Sequence, residues 1–246
     1  MSTQWEDSIR KSGQLSVSFN SQIQNSVWGK VVKKSINEFN RLSRRHRLGV
    51  RLVKSTATNA NVIVNLADGT ASFSYDNTEH TISLPGGGLQ GHTSLLSRSG
   101  KMFQSYVFLP SDPQINTPDG TRGVGNGVKL VIAVHEFIHC CGLSNAEHSR
   151  DDIFTGHPSV DMGSTPSKDV VVIHAKGKRR RRTAPPLFLR TTTVSRVRAL
   201  WPRRRGGKTR GRKRASIMQD GLQTGATSRN GDVLGVHRRN GPVGIA

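Results

Sequence analysis

The segment His135-Glu136-Phe137-Ile138-His139 places two histidines four residues apart, with a glutamate directly after the first. Residues i and i+4 of an α-helix lie on the same face, so both imidazoles can reach one metal ion. Glu136 lies about 100° further round the helix, close to such an ion without having to bind it. A carboxylate in that position suits a general base that acts on a metal-activated water. The spacing therefore predicts a helix that carries a metal site.

The residues around this motif favour a buried helix. The chain has 246 residues with 9 His and five Glu, and random placement would give about 0.007 matches to the pattern, so chance is a poor explanation. Residues 123–127 are rich in glycine and form a flexible lead-in. Residues 128–141 are almost wholly apolar apart from Lys129 and the motif itself, as in a buried helix. Gly142 suits the left-handed residue at which many helices end.

With Gly142 the pattern reads His-Glu-x-x-His-x-x-Gly, and it resembles the metzincin clan of zinc endopeptidases, whose pattern continues with a third histidine. The chain departs from the clan at that third position, which is Asn145, and the nearest histidine, His148, follows three residues later. Asparagine is a poor zinc ligand beside imidazole, so we expect a longer turn in which His148 closes the site. Asn145 stays an alternative, as do the carboxylates of Asp151 and Asp152.

The resemblance implies a zinc-dependent endopeptidase with a protein or peptide as its substrate. Its zinc ligands would be His135, His139 and His148, which leave the fourth position open as catalytic zinc sites do. Glu136 would take a proton from the metal-activated water as the peptide bond is attacked, and would then pass it to the leaving amine. Zinc is the only cofactor that the resemblance implies.

The order of elements before the motif is also similar to the amino-terminal half of a metzincin. Residues 15–19 alternate between apolar and polar side chains and predict a strand. An apolar stripe at helical spacing from Trp28 to Leu42 predicts a long helix that begins at a cap, Asn25 or Ser26, and runs to about residue 45. Further apolar or strand-like runs predict strands at 50–53, 61–66, 71–75, 81–84 and 102–109.

The fold class that the resemblance implies is α+β. It would comprise a twisted mixed sheet with a long amino-terminal helix and a catalytic helix, plus a smaller carboxy-terminal subdomain. The strand at residues 102–109 is expected at the edge of the sheet beside the active site, where an extended substrate could pair with it. Residues 110–120 are predicted to form a turn-rich loop between this strand and the catalytic helix.

The methionine turn of the clan has two candidate positions in this chain. One contains Met162. The other is the segment 183–187, which precedes a predicted helix at 191–201, as the clan's turn precedes its final helix, but which has Ala184 in place of the methionine. His80 and His92 lie in a segment rich in Gly, Ser and Thr, where they are expected to be solvated loop residues, with a second metal ion as the alternative.

The formal net charge of +21 is concentrated near the carboxyl terminus. Residues 1–175 hold 17 Lys and Arg against 14 Asp and Glu, whereas residues 176–246 hold 20 against 2. We therefore predict a metalloprotease domain at 1–201 with a basic insertion at about 176–182, followed by a disordered basic tail rich in Arg and Gly at 202–246. The tail is expected either to bind nucleic acid or another polyanion through salt-dependent contacts, or to be a solvated segment without a dedicated partner. The alternative function is accordingly a nucleic-acid-binding protein whose zinc site is structural or vestigial.

Cysteine usage and hydropathy indicate where the protein is expected to reside. Cys140 and Cys141 are adjacent on the predicted helix and point about 100° apart, so they are expected to be buried thiols without a disulfide between them. The amino-terminal residues have no apolar segment of the length of a signal peptide, and no run of residues has the length of a membrane span. A cytoplasmic location is the default expectation, and the oligomeric state is left open.

Overall fold

The computed structural model of the protein describes residues 2–84, 89–117, 120–144, 153–154, 158–161, 165–175, 178–182 and 186–201. All of these residues belong to one compact unit, Met1–Gly207. The fold is mixed α+β, with a largely parallel sheet and few helices, so the predicted class is confirmed at this level. The predicted tail at 202–246 lies outside the described residues.

The helices are α1 to α5, and the two longest are those that the sequence predicts around the motif and before it. Their bounds are α1 Asp7–Ser12, α2 Ser21–Gln24, α3 Gly29–His46, α4 Asn126–His139 and α5 Thr191–Leu200. A short 3₁₀ helix spans Pro166–Lys168. None of the helices in the described ranges has the length and hydropathy needed to cross a bilayer.

The strands are β1 to β13, and most are short. The first eight are β1 Gln4–Trp5, β2 Gln14–Phe19, β3 Arg51–Lys54, β4 Val62–Ala67, β5 Thr70–Tyr75, β6 Thr78–Ser83, β7 His92–Arg98 and β8 Lys101–Pro110. The remaining five are β9 Gln114–Thr117, β10 Gly120–Gly123, β11 Pro158–Asp161, β12 Val170–Ala175 and β13 Lys178–Arg182. The five strands predicted before residue 85, together with that at 102–109, are thus confirmed to within one or a few residues.

The central sheet has the strand order β1-β8-β4-β2-β3, and every neighbouring pair along that path is parallel. Strand β7 pairs antiparallel with the other side of β8. The expectation that residues 102–109 form the edge strand is therefore wrong, because β8 lies between β4 and β7. The sequence shows a strongly apolar strand there, and such a strand is more typical of the interior of a sheet, where both neighbours bury it.

Helix α3 connects the parallel strands β2 and β3 and packs against the sheet and against α4. Its buried apolar side chains recur at helical spacing: Val31, Val32, Ile36, Phe39 and Leu42. Its predicted start is wrong, since Asn25 and Ser26 lie in a turn. Asn20 caps the preceding helix α2 by accepting from the backbone N–H of Ile23 at 3.1 Å. Helix α3 then begins at Gly29, where a Cβ atom would overlap the carbonyl oxygen of Gln24.

The carboxy-terminal helix α5, predicted from residues 191–201, returns to the first half of the chain and is fixed there by polar contacts. The Arg198 guanidinium donates to the carbonyl oxygen of His46 at the end of α3. The buried carboxylate of Glu38 accepts from the backbone N–H of Leu187 at 2.7 Å and is ion-paired with Arg41 at 2.7 Å. These contacts hold residues 186–201 against α3.

Smaller antiparallel units surround the central sheet. Strands β9 and β10 form a hairpin within the predicted loop 110–120 and just beyond it. Strands β5 and β6 form another hairpin. Strands β11, β12 and β13 form a third unit, so that part of the predicted basic insertion, Lys178–Arg182, is a strand paired with β12. The expectation of loop histidines is wrong for His80, which lies in β6 and stacks on Phe73 at 5.1 Å between ring centroids.

Candidate metal centre

Helix α4 brings together three of the residues that the motif predicts. His135, Glu136 and His139 lie in its last three turns, where His139 and Glu136 are only 3% and 4% exposed and His135 is half-buried. The helix ends at Cys140, and Gly142 has a φ of +103°, as expected of a residue that reverses the chain. A Cβ atom on Gly142 would also overlap the carbonyl oxygen of Thr3. A glycine is therefore required here on two counts.

The two histidine rings face one another across one helical turn, and we call His135 and His139 the histidine pair. Their Nε2 atoms lie 3.2 Å apart, and their ring centroids lie 5.0 Å apart. On its other side, His139 Nδ1 lies 2.9 Å from the carbonyl oxygen of Leu143. A carbonyl can only accept, so Nδ1 carries the proton and Nε2 carries the lone pair. The turn after the helix thus orients His139 with Nε2 toward its partner.

The separation within the histidine pair fits two ligands of a tetrahedral metal ion. Zn–N bonds of about 2.0–2.1 Å at tetrahedral angles place two ligand nitrogens about 3.3 Å apart. The observed 3.2 Å between the Nε2 atoms agrees with that value. The bond from His139 Nδ1 to a backbone carbonyl is also the type of outer contact that orients metal-bound histidines. In the absence of an ion, the same distance accommodates an N–H···N hydrogen bond from His135 to His139.

Glu136 lies beside this pair in a buried pocket formed in part by strand β7. Its Oε2 atom accepts a hydrogen bond from Thr93 Oγ1 at 2.7 Å. Gly91 lies so close that a Cβ atom there would stand 2.6 Å from Glu136 Cγ. Burial raises the pKa of Glu136 to about 7, and the Thr93 hydroxyl partly opposes that rise. The carboxyl group can therefore both accept and release a proton near neutral pH.

The contacts that Gly91 and Thr93 make are the functional features that the sequence did not predict. The two residues precede the motif by more than 40 positions, and nothing in the Gly-, Ser- and Thr-rich segment distinguishes them from their neighbours. Between them lies His92, which begins β7 and is half-buried, so its predicted loop position is also wrong. Burial lowers the pKa of His92, which favours its neutral form.

Two tryptophans fix the backbone just after His139. The indole of Trp5 donates to the carbonyl oxygen of Cys140 at 2.7 Å, and that of Trp201 donates to the carbonyl oxygen of Cys141 at 3.0 Å. Both cysteines are buried and unpaired, as predicted. Burial raises the pKa of the Cys140 thiol to about 12, so it stays protonated and is a poor ligand or nucleophile. The two indole hydrogen bonds therefore hold the backbone at the end of α4.

The candidates for the third ligand follow α4 in the sequence. His148 and its alternatives Asn145, Asp151 and Asp152 lie outside the described residues, and so do Met162 and Ala184 of the two candidate methionine turns. The described ranges contain no cluster of three or more His, Cys, Asp or Glu side chains placed to hold one ion. Ile153 and Phe154 are the next described residues, and the Phe154 ring lies 6.5 Å from that of His135 between centroids. The chain therefore returns to the histidine pair shortly after the residues in question.

Comparisons with known proteins place no family name on this arrangement. No protein-family model matches the chain, and no curated protein sequence matches it. What the site can do is therefore inferred from its own geometry and chemistry.

Proposed function

We propose that the protein is a zinc-dependent endopeptidase of metzincin-like architecture. The observation that carries this proposal is the histidine pair, with Nε2 atoms 3.2 Å apart beside a buried glutamate whose pKa is about 7. His135 and His139 supply two ligands, and His148 is the proposed third, with Asn145 and the neighbouring aspartates as alternatives. Zinc in this position would polarise the peptide carbonyl and lower the pKa of water.

Glu136 is the proposed general base. Its carboxylate lies one residue beyond His135, about 100° further round α4, and is buried against Thr93 and Gly91. In the metal-free chain, burial raises the pKa of this carboxyl to about 7. A zinc ion nearby would favour the ionised form, which can accept the proton of an attacking water. The protonated form can then deliver that proton to the leaving amine. The Thr93 hydroxyl, which donates to Oε2 at 2.7 Å, keeps the carboxyl in one orientation during both transfers.

Strand β7 is the proposed binding edge for the substrate. Within the described residues it pairs only with β8, so its other side has backbone groups that an extended peptide could bind by strand addition. Its first residues lie against Glu136 through Thr93 and Gly91. A peptide paired along β7 would therefore pass close to the general base and the histidine pair. This edge takes the role that the sequence alone assigned to residues 102–109.

The experiment that tests the activity is hydrolysis of a library of internally quenched peptides by the full chain and by Glu136→Gln. We expect the variant to retain zinc and to lose turnover by roughly 10²–10⁴. Glu79→Gln, which removes an exposed carboxylate from strand β6, is the matched control and should cleave at the wild-type rate. Unchanged turnover in Glu136→Gln would refute the mechanism. Zinc binding without any hydrolysis in the wild type would favour the alternative of a structural or vestigial site.

A further inference from the structure

Helix α3 presents a solvent-exposed face on which every charge is positive. Five exposed basic residues define this basic face: Lys30, Lys33, Lys34, Arg44 and Arg45. At 100° per residue they fall within about 120° of the helix surface, opposite the stripe of apolar side chains that the core buries. The helix has 18 residues and is therefore about 27 Å long; the three lysines lie in its first two turns and the two arginines in its last turn.

No carboxylate of the described residues neutralises the basic face. Between residues 20 and 60 the only acidic residue is Glu38. It is buried, and its carboxylate is already ion-paired with Arg41 and accepts the backbone N–H of Leu187. Arg45 lies over the ring of Phe188 at 5.1 Å from its centroid, a contact that orients the guanidinium but leaves its charge in place.

The positive surface continues onto the edge strand β3. The side chain of Asn40, on α3, donates to the carbonyl oxygen of Leu52 at 2.9 Å and accepts from its N–H at 2.8 Å, so β3 lies directly beside the helix. Lys54 projects from the same face of β3 as Leu52 and is exposed. Helix and strand together form a surface that should attract a polyanion whose charges are regularly spaced.

Two kinds of polyanion are disfavoured by what the surface lacks. A helix that binds an anionic membrane inserts its apolar side, but the apolar side of α3 is buried in the core. A protein that binds single-stranded nucleic acid usually stacks bases on exposed aromatic side chains. The exposed large hydrophobic residues of the described ranges are only Val27 and Val53, neither of which is aromatic. The partner that remains favoured is a double-stranded nucleic acid, whose regularly spaced phosphates attract the lysine and arginine side chains of the helix.

We propose that the basic face of α3 binds the phosphate backbone of duplex DNA. The contacts are electrostatic and independent of sequence, because Lys and Arg bind phosphate oxygens that are the same at every base pair. The residues of this surface, between positions 30 and 54, are a different part of the sequence from the basic segment at 202–246. The basic face would bind duplex DNA whether or not the metal site is active.

The test is a salt titration of duplex DNA binding by the full chain and two charge-matched variants. One variant carries Lys30→Gln, Lys33→Gln and Lys34→Gln. The control carries three substitutions of exposed basic residues outside the face: Lys11→Gln, Arg98→Gln and Arg196→Gln. Both variants lose three positive charges and both keep the basic tail, so a difference between them reports the basic face.

We expect the slope of log affinity against log salt to fall by about 2.7 in the face variant, at about 0.9 for each lost phosphate contact. Between 50 and 200 mM salt, the wild type should then lose about 40-fold more affinity than that variant. The control should keep the wild-type slope. Equal slopes in wild type and face variant, or equal losses in face variant and control, would overturn the proposal.

A second measurement on the wild-type chain does not depend on any substitution. Lysine acetylation, read by mass spectrometry, should be suppressed by duplex DNA at Lys30, Lys33 and Lys34 but not at Lys11. Protection of all four lysines alike, or of none, would contradict the assigned surface. Protection by vesicles of anionic lipid or by single-stranded DNA, without protection by the duplex, would refute the choice of partner.

Discussion

Replacement of Glu136 by glutamine should change how the stability of the metal-free protein depends on pH. Burial raises the pKa of this carboxyl group from 4.5 to about 7, so folding opposes its ionisation. At about 1.4 kcal/mol for each pH unit, that difference corresponds to about 3 kcal/mol of folding free energy. The cost is absent at a pH below 4.5, where the carboxyl is protonated in both states, and is complete above about pH 7. The wild type therefore loses this much stability as the pH rises, and the variant does not.

The assay is urea unfolding in the presence of a chelator, at about pH 5 and about pH 8. Between these values Glu136→Gln should gain about 2 to 3 kcal/mol of unfolding free energy relative to the wild type. Half-buried histidines such as His46 and His92, whose pKa values burial lowers, titrate in both proteins and cancel in the comparison. Thr93→Val should steepen the dependence, because the lost hydrogen bond raises the pKa of Glu136 further. The same pH dependence in wild type and Glu136→Gln would refute the reasoning.

Three further changes test the surroundings of the site. Gly91→Ala should lower peptide hydrolysis while zinc stays bound, because the new Cβ would stand 2.6 Å from Glu136 Cγ. The control, Gly123→Ala, should hydrolyse peptides at the wild-type rate, because its new Cβ would have no neighbouring atom closer than 3.8 Å. Asp169→Asn should lower the unfolding free energy by about 3 kcal/mol or more in urea titrations. The reason is that the Asp169 carboxylate is only 1% exposed and is ion-paired with the Arg122 guanidinium at 2.5 Å. A loss of less than about 1 kcal/mol would contradict this expectation. The thiol of Cys140 should react with a disulfide reagent only after unfolding, and rapid reaction of the native protein would show that the helix end is open.

Features that depend on short stretches of chain could be predicted from the sequence. The spacing of His135 and His139 determines that they share a helix face, and Gly142 marks the end of that helix because few other residues adopt its backbone angle. The apolar stripe of α3 likewise follows from residues within a few turns of one another. In each case the physical cause lies within about ten residues of the feature.

Features that depend on distant contacts could not be predicted. The hydrogen bond from Thr93 to Glu136 joins residues 43 positions apart, and a threonine in a polar segment carries no sign of it. The order of strands in the sheet determines whether β7 or β8 lies at the edge. That order cannot be predicted from the hydropathy of a single strand. The start of α3 is an exception among the local features: the close approach of Gly29 to Gln24 sets the turn before the helix, and the sequence does not reveal it.

The measurement that tests the central claim most directly is the zinc content of the purified full chain, compared with His139→Ala and with His80→Ala. If the histidine pair holds the ion, wild type and His80→Ala should each contain a zinc ion per chain, because His80 stacks on Phe73 in a separate hairpin. His139→Ala should lose most of the zinc, since the substitution removes one of the two imidazole nitrogens that lie 3.2 Å apart and are proposed to bind the ion. Absence of zinc from the wild type, or an undiminished content in His139→Ala, would contradict the assignment of a metal centre to α4.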